Sequence, residues 1–229
     1  MTARRLVIAA TVAALCAAVL PAAGGAANEC RGIPVCISVP GPWVVVPAGA
    51  EARYLLECPR RRGVVGGLDA LATSRAVRVS FDGRLGSPVS PGTTTSRDAF
   101  FRAVSSTRAV GGFQPFLGCI PGGGGGGRST TSARATRPGL PLERRAKTVR
   151  LVRGGPITVS QRCTGRERLV GSWHALAFRT QTPPPLALAR RVKLDRRVRN
   201  GVVTVRVLTS EGLPQAARAE VQVGAVCAP

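Results

Sequence analysis

The chain has 229 residues and a formal net charge of +22, with 33 Lys and Arg residues against 11 Asp and Glu residues. It contains one histidine and no Cys-x-x-Cys pair, which excludes a histidine metal cluster and zinc-ribbon spacing, and no cofactor-binding motif is present. Aromatic residues make up 4% of the chain, too few for the stacking platforms that bind single-stranded nucleic acid.

The first 27 residues have the pattern of a secretory signal peptide. Arg4 and Arg5 form the positive start, a predominantly apolar run of 15 residues follows at 6–20, and small residues fill 22–27. A membrane-spanning helix needs roughly 20 apolar residues, so the pattern favours cleavage after Ala27 over an uncleaved anchor. We therefore expect a secreted protein, extracellular or at the cell surface, with no transmembrane span in the mature chain.

The cysteines that follow the signal peptide indicate disulfides. Their number is even, and an exported chain meets an oxidising compartment in which disulfides persist. They are Cys30, Cys36, Cys58, Cys119, Cys163 and Cys227. Six cysteines allow 15 pairings, so spacing alone does not choose among them.

The first half of the mature chain is predicted to be β-strand. An N-terminal segment at 28–40 contains a small loop between two cysteines, CRGIPVC. Strict alternation of apolar and polar residues then predicts strands over 52–58, 77–81 and 113–119. The segment at 96–104 is ambiguous, because SRDAFFRAV also fits a short helix.

A glycine-rich linker at 122–146 separates the two halves. Six consecutive glycines contribute no side chains to a core and have maximal chain entropy, which predicts flexibility. A phosphate-binding loop is not favoured, because it needs a preceding strand and a following helix with Lys-Ser or Lys-Thr.

The second half repeats the alternating pattern. It predicts strands over 157–163, 202–208 and 221–227, whereas 186–194 also fits a short helix. Asn200-Gly201 stands between two alternating runs and predicts a tight hairpin, because both central residues of such a turn need positive φ.

An internal repeat relates the two halves. The phrase CPRRRGVVGGLDALATS at 58–74 returns at 163–179 as CTGRERLVGSWHALAFR, with seven identities over 17 gap-free positions. Each half also closes on Cys-x-Pro, at 119–121 and 227–229. We predict an all-β fold of two tandem disulfide-stapled Ig-like β-sandwich repeats, 41–121 and 147–229, produced by duplication.

The four cysteines of the repeats lie on the apolar side of their strands, which places their sulfur atoms in a core. From this we infer one disulfide in each half, Cys58–Cys119 and Cys163–Cys227, and the remaining pair is Cys30–Cys36. A disulfide that closes a loop of about 60 residues contributes about 4 kcal/mol on the chain-entropy model.

The sequence assigns no catalytic or metal-binding residue. Ser172 lies two residues from His174, a spacing that on a strand would place both on one face, but a catalytic pair needs an orienting acid, and none is evident beside them. A hydrolase is therefore the weakest of three hypotheses. Trp43 and Trp173 are expected to pack in the core or between domains.

The basic segment at 190–199 is the best candidate binding surface. Its cationic residues are Arg190, Arg191, Lys193, Arg196, Arg197 and Arg199, and Asp195 is its one acid. Guanidinium groups bind phosphate and carboxylate bidentately, so a wall polymer, an acidic polysaccharide or nucleic acid fits this surface. The other interpretation is a solvated strand whose arginines prevent edge-to-edge aggregation. No aromatic residue interrupts the segment, so sequence-specific nucleic-acid binding is not favoured.

The first half also resembles a known group of proteins. Cys58-Pro59, Val64-Val65-Gly66-Gly67 and the closing Cys119 resemble a motif of uncharacterised secreted proteins of high-GC Gram-positive (actinobacterial) type, with the pattern Cys-Pro-x-Gly, Val-x-Gly-Gly and a final Cys. The second half departs from this pattern at Thr164 and Ser172. The resemblance implies a disulfide-closed β domain in an exported protein and no assigned activity.

These observations lead to a ranked expectation. The leading hypothesis is a non-enzymatic exported protein with a structural or interaction role at the cell envelope or outside the cell, its partner an anionic envelope polymer or another surface protein. The alternative is a dedicated polyanion-binding module that uses the segment at 190–199.

Overall fold

The structure is a computed structural model that describes residues 27–59, 63–82, 97–121, 142–151, 156–209 and 213–229. The predicted signal peptide lies outside these ranges except for Ala27, and so does the predicted linker except for its last five residues. Within the ranges described, no helix has the length and apolar character that crossing a membrane requires.

The regular secondary structure of the described residues is almost entirely β-strand, as the alternating pattern predicts. The strands of the first half are β1 (Ile37–Pro40), β2 (Trp43–Val46), β3 (Glu51–Glu57), β4 (Val64–Ala72), β5 (Val77–Asp82), β6 (Asp98–Ser105) and β7 (Gly111–Ile120). The second half contains β8 (Glu143–Arg150), β9 (Ile157–Arg162), β10 (Arg168–Phe178), the helix α1 (Leu186–Arg190), β11 (Val192–Arg199), β12 (Val202–Thr209) and β13 (Ala219–Ala228), and a 3₁₀ turn at Gln215–Ala217 precedes β13.

Both segments that were ambiguous in the sequence are now assigned. The segment at 96–104 contributes strand β6, and the segment at 186–194 is divided between α1 and β11. The predicted hairpin joins β11 to β12, with positive φ at Asn200 (50°) and Gly201 (72°). Strand β8 begins at Glu143, four residues before the predicted start of the second repeat, so the end of the predicted linker is a strand.

One seven-stranded sheet runs through both halves. The strands β1 and β2 lie end to end along one side of β7, and β4 pairs with its other side. Strand β2 also pairs with β10, so Val44 lies opposite Phe113 on one side and opposite Ala177 on the other. The sheet continues through β13 to β8. A sheet shared by the halves was not expected from the sequence.

Each half adds a three-stranded sheet, and the two orders correspond. The first is β3–β6–β5 and the second is β9–β12–β11, both antiparallel. The disulfide Cys58–Cys119 joins the end of β3 to β7, and Cys163–Cys227 joins the end of β9 to β13. Both pairings match the sequence prediction, as does Cys30–Cys36.

The two small sheets cover opposite faces of the large sheet. Successive side chains of a strand point to opposite faces. In β2, Val44 and Val46 belong to the core of the first half, whereas Val45 packs against the core of the second. In β10, Ala177 belongs to the first core and Phe178 to the second. The central strands therefore serve two cores at once.

The strand register corrects the gap-free alignment of the repeat. In β4, Val65 lies opposite Cys119, and in β10, Leu169 lies opposite Cys227. Counted from the disulfides, Val65 therefore corresponds to Leu169 and not to Val170. Both strands have an irregularity one residue further on. The loop after Cys58 is one residue longer than the loop after Cys163, which displaces the alignment by one.

Candidate functional site

The structure divides the predicted basic segment between different surroundings. Arg190 ends α1 and Arg191 caps it, so neither belongs to β11. Along β11 the side chains alternate, which sends Lys193, Arg197 and Arg199 outward. Arg196 points to the inner side, where its Nη1 atom donates to the backbone oxygen of Ser172 at 3.2 Å.

The outward residues of β11 join two arginines that the sequence analysis missed. Directly opposed residues of antiparallel strands share a face. Arg199 lies opposite Val202, which in turn lies opposite Arg162, and Asp195 lies opposite Arg206. We call this outward side of the β9–β12–β11 sheet the basic face. Its charged members are Arg162, Lys193, Asp195, Arg197, Arg199 and Arg206, all of them exposed.

Positive charge dominates the basic face. Five of its charged residues are cations and one is an anion. The Arg197 guanidinium lies 3.2 Å from the Asp195 carboxylate, with both side chains mostly exposed, so the ion pair is weak. Ser160 and Thr204 add hydroxyl groups between the charges and lie 3.1 Å apart. The face therefore offers guanidinium, ammonium and hydroxyl donors to an anion.

The equivalent face of the first half has a different charge. We call the outward side of the β3–β6–β5 sheet the mixed face. Its charged members by register are Glu51, Arg53, Glu57, Arg78, Asp82, Asp98 and Arg102, three cations and four anions. Glu51 accepts hydrogen bonds from both Arg53 and Arg102. Burial raises the pKa of Glu51, but the two guanidinium groups together lower it by more than burial raises it. The pKa of Glu51 therefore lies below its ordinary value.

Part of the mixed face is covered by the second half. Leu55 and Phe100 are buried there against Trp173 of β10. The rings of Phe100 and Trp173 meet edge to face, with centroids 4.7 Å apart, and the Arg144 guanidinium lies 4.8 Å from the Phe100 centroid. Gly224 lies opposite Trp173 in β13, and a Cβ at Gly224 would collide with the indole ring. Trp173 therefore packs between the halves, as the sequence analysis expected.

A buried glutamine joins the edge of β3 to the large sheet. The Gln222 Oε1 atom accepts from the backbone N–H of Leu55 at 2.8 Å and from the Trp173 indole N–H at 3.2 Å. Its Nε2 atom donates to the backbone oxygen of Leu55 at 2.9 Å and to Thr148 Oγ1 at 3.2 Å. All four hydrogen-bonding positions of the amide are thus used. The side chain satisfies the edge of β3, which would otherwise be open to pairing.

A second buried contact links β3 to the large sheet. We call this contact region between the two halves the joint. The Tyr54 hydroxyl donates to Glu220 Oε1 at 2.8 Å, and Arg179 Nε donates to Glu220 Oε2 at 2.8 Å. Burial raises the pKa of Tyr54 strongly, and the negative charge of Glu220 raises it further. The phenol therefore stays protonated and acts as a hydrogen-bond donor between the halves.

Ser172 and His174 do share a face, which points toward β11. Burial lowers the pKa of His174, and the positive charge of Arg196 lowers it further. The Arg196 Nη1 atom also lies 3.4 Å from Ser172 Oγ. Among the residues that the structure describes, no hydrogen bond links His174 to a serine or to a carboxylate. The arrangement is neutral imidazole beside an arginine, without the orienting acid of a catalytic triad.

One group of possible metal ligands occurs in the described part of the chain, formed by Cys163, Glu167 and Cys227. Its two sulfur atoms are bonded to each other, so neither is available as a thiolate. Glu167 is already engaged by Arg145 at 2.9 Å and by the backbone N–H of Thr164 at 2.9 Å. These hydrogen bonds, that from Arg145 first, lower the pKa of Glu167 to about 2. The group is therefore a disulfide next to a hydrogen-bonded carboxylate, and its sulfur atoms cannot act as metal ligands in this state.

An apolar cavity of about 420 Å³ lies where β2 and β7 meet the proline segment at 183–185. Trp43, Val44, Leu186 and Ala189 contribute to its wall, and no charged residue lines it. The buried indole nitrogen of Trp43 makes no hydrogen bond, but it is also inaccessible to solvent and so does not open into the cavity. The cavity offers space without acid–base groups.

Comparison with known proteins adds no relative from which a role can be transferred. No protein-family model matches the chain. A search of curated proteins also finds no match.

Proposed function

We propose that this chain is a non-enzymatic exported protein with an interaction role at the cell envelope or outside the cell, and that the basic face binds a polyanion. The observation that carries the proposal is the concentration of five exposed cations and one anion on one side of the β9–β12–β11 sheet. Guanidinium groups and hydroxyls suit phosphate, sulfate and carboxylate oxygens. Three disulfides are consistent with an extracellular location.

The flat shape of the face favours an extended polymer over a small anion. Residues two apart on a strand are separated by about 6.6 Å and neighbouring strands by about 4.8 Å, so the cations form a shallow array. No aromatic residue lies on this face among the described residues, which removes base stacking as a source of affinity. Wall polymers and acidic polysaccharides fit this array better than a nucleic acid that is read by its bases.

We further propose that the two halves descend from one Ig-like sandwich by duplication. Support comes from the matching strand orders and from an inter-sheet disulfide at the equivalent place in each half. On this proposal the mixed face and the basic face are the same surface of two copies. The chain therefore contains an internal control for the role of charge.

Heparin retention across a salt gradient tests polyanion binding. The variant Arg197→Gln/Arg199→Gln/Arg206→Gln removes three cations from the basic face. The matched control Arg53→Gln/Arg78→Gln/Arg102→Gln removes three cations from the mixed face. For single-stranded nucleic acid, each lost contact reduces the magnitude of the slope of log K against log salt by roughly 0.7. With the same value for heparin, the loss of three contacts should reduce the magnitude of the slope by about 2. The control is expected to keep nearly the whole slope.

Equal losses from the two variants would mean that net charge alone drives retention, which would overturn the assignment to the basic face. A hydrolase remains the weakest hypothesis. It needs an acid brought to His174 by a substrate or by residues outside the described ranges. Turnover of an ester or peptide library that disappears in His174→Ala would favour it over the binding role.

A further inference from the structure

The N-terminal segment is seated on the outer side of β4 and β7. The backbone carbonyl of Glu29 lies against Gly67 and Gly118, and a Cβ at either glycine would collide with it. The backbone N–H of Asn28 donates to the Asp69 Oδ2 atom of β4 at 2.6 Å. The Cys30–Cys36 disulfide closes the loop that follows. These contacts hold Asn28, the residue that follows the predicted cleavage site, against the sheet.

Two carboxylates of this seat have no cationic partner among the residues that the structure describes. Glu29 is 6% exposed, and its Oε2 atom has no hydrogen-bond partner, while Oε1 accepts from Ser38. Among the described residues, neither Glu29 nor Asp69 forms a salt bridge, although the chain has 33 Lys and Arg residues. Glu29 is the buried member of the pair, where a carboxylate without a positive partner is costly. Asp69 is half-buried and contacts the backbone nitrogen at which cleavage would create a positive charge.

We propose that the mature chain begins at Asn28 and that its new α-ammonium group forms an ion pair with Asp69, which locks the N-terminal segment onto the sheet. The proposal depends on the export that forms part of the proposed function, and not on polyanion binding. A signal protease would use one water molecule to hydrolyse the bond between Ala27 and Asn28. The products are the Ala27 carboxylate and the Asn28 ammonium.

The chemistry of the terminus favours this assignment. An amide N–H supplies one donor and no charge, whereas an α-ammonium supplies three donors and a positive charge, with an ordinary pKa of about 7.7–8.0. The bond from the amide to the Asp69 carboxylate is already charge-assisted through its acceptor, and an ammonium donor would add the attraction of a second, opposite charge. The Asp69 Oδ1 atom is held by the N–H of Ala70 at 2.7 Å, so the carboxylate is already oriented.

The first test is the N-terminal sequence of the exported protein. The expected start is Asn-Glu-Cys. A start at any other residue would overturn the proposal directly.

The second test measures the ion pair by thermal unfolding of four mature proteins. They begin either at Asn28 or with Ala26-Ala27 retained, and each form is made with Asp69 and with Asp69→Asn. We expect the two added residues to lower Tm by about 2 °C in the Asp69 background, the size that one partly exposed ion pair gives in a chain of this length. In the Asp69→Asn background the two lengths should have equal Tm.

A matched variant guards against a general effect of charge. Asp195→Asn removes a carboxylate far from this seat and should leave the Tm difference between the two lengths unchanged. A difference that persists in Asp69→Asn, or no difference in the Asp69 background, would contradict the ion pair. Heparin retention should be the same for all four proteins, so failure here is distinguishable from failure of the binding role.

Discussion

The basic face and the mixed face are equivalent surfaces with different fates. Both are the outward side of a three-stranded sheet stapled to the large sheet by a disulfide. The mixed face has nearly equal numbers of cations and anions, and its Leu55 and Phe100 are buried against the second half. The basic face stays exposed and keeps an excess of cations. Two three-stranded sheets of the same strand order thus differ in what their outward sides do: one packs against the other half, and the other remains exposed and positively charged.

The largest expected effect comes from removing the side chain that covers the mixed face. Trp173→Ala should destabilise the protein by about 3–5 kcal/mol, because a buried indole leaves a cavity against Leu55 and Phe100. Urea unfolding measures the loss. The aromatic control is Phe81→Ala. Because Phe81 is 45% exposed, this substitution should lower the free energy of unfolding much less. Equal losses would show that the joint is no better packed than the surface.

Gln222→Leu should cost about 2–3 kcal/mol in the same assay. It leaves the buried N–H and C=O of Leu55 and the Trp173 indole N–H without their partner. The matched substitution Gln114→Leu removes a single half-buried hydrogen bond, to the backbone oxygen of Gly41 at 3.0 Å, and should cost about 1 kcal/mol or less. If the two changes cost the same, the edge of β3 does not depend on Gln222.

His174→Ala should remove a dependence of stability on pH. The folded-state pKa of His174 lies below its ordinary value of 6.5, so the unfolded chain binds more protons between the two values. Wild-type stability should therefore fall as the pH drops below about 6.5, by up to about 1.4 kcal/mol per pH unit. In β4 the corresponding residue is Ala70, so the variant makes the second half resemble the first. Urea unfolding at pH 7.5 and 5.5 checks this, and a variant that keeps the full slope would contradict it.

The smallest expected effect concerns the one acid of the basic face. Asp195→Asn removes the partner of Arg197 and should tighten heparin binding about two- to fivefold, the range that an exposed ion pair supplies. Glu51→Gln frees Arg53 and Arg102 on the mixed face by the same logic. Binding titrations should show a smaller gain for Glu51→Gln, because other acids remain beside it. A larger gain there would reverse the comparison of the two faces.

Local pattern in the sequence predicts much of the fold. Strict alternation identifies six of the thirteen described strands, and the Asn200-Gly201 pair identifies a hairpin. The side on which the cysteines lie yields two of the disulfides and leaves Cys30–Cys36 as the third pair. These features depend on residues close in sequence or on one shared face. The segment at 186–194 is ambiguous in the sequence because it contains both elements: a helix of five residues is followed at once by a strand.

Long-range pairing is not encoded in those local patterns. The alternating pattern does not predict β2, and nothing in the sequence of Trp43–Val46 indicates that β10 pairs with its other edge. For the same reason Arg162 and Arg206 were missed, since they join the basic face only through the register of β9 and β12. Arg196, in contrast, sits within the predicted segment but faces inward.

The position of β2 between the halves has a consequence for how the chain acquires its structure. Strand β2 lies early in the chain, but one of its neighbours, β10, follows only after the whole first half. Until β10 and β13 are in place, the outer edge of β2 and the edge of β3 have no hydrogen-bonding partner from the second half. Such pairing between distant segments slows folding and leaves sticky intermediates. We therefore expect the first half, produced alone, to self-associate, and the intact chain to become monodisperse only when β10 has docked.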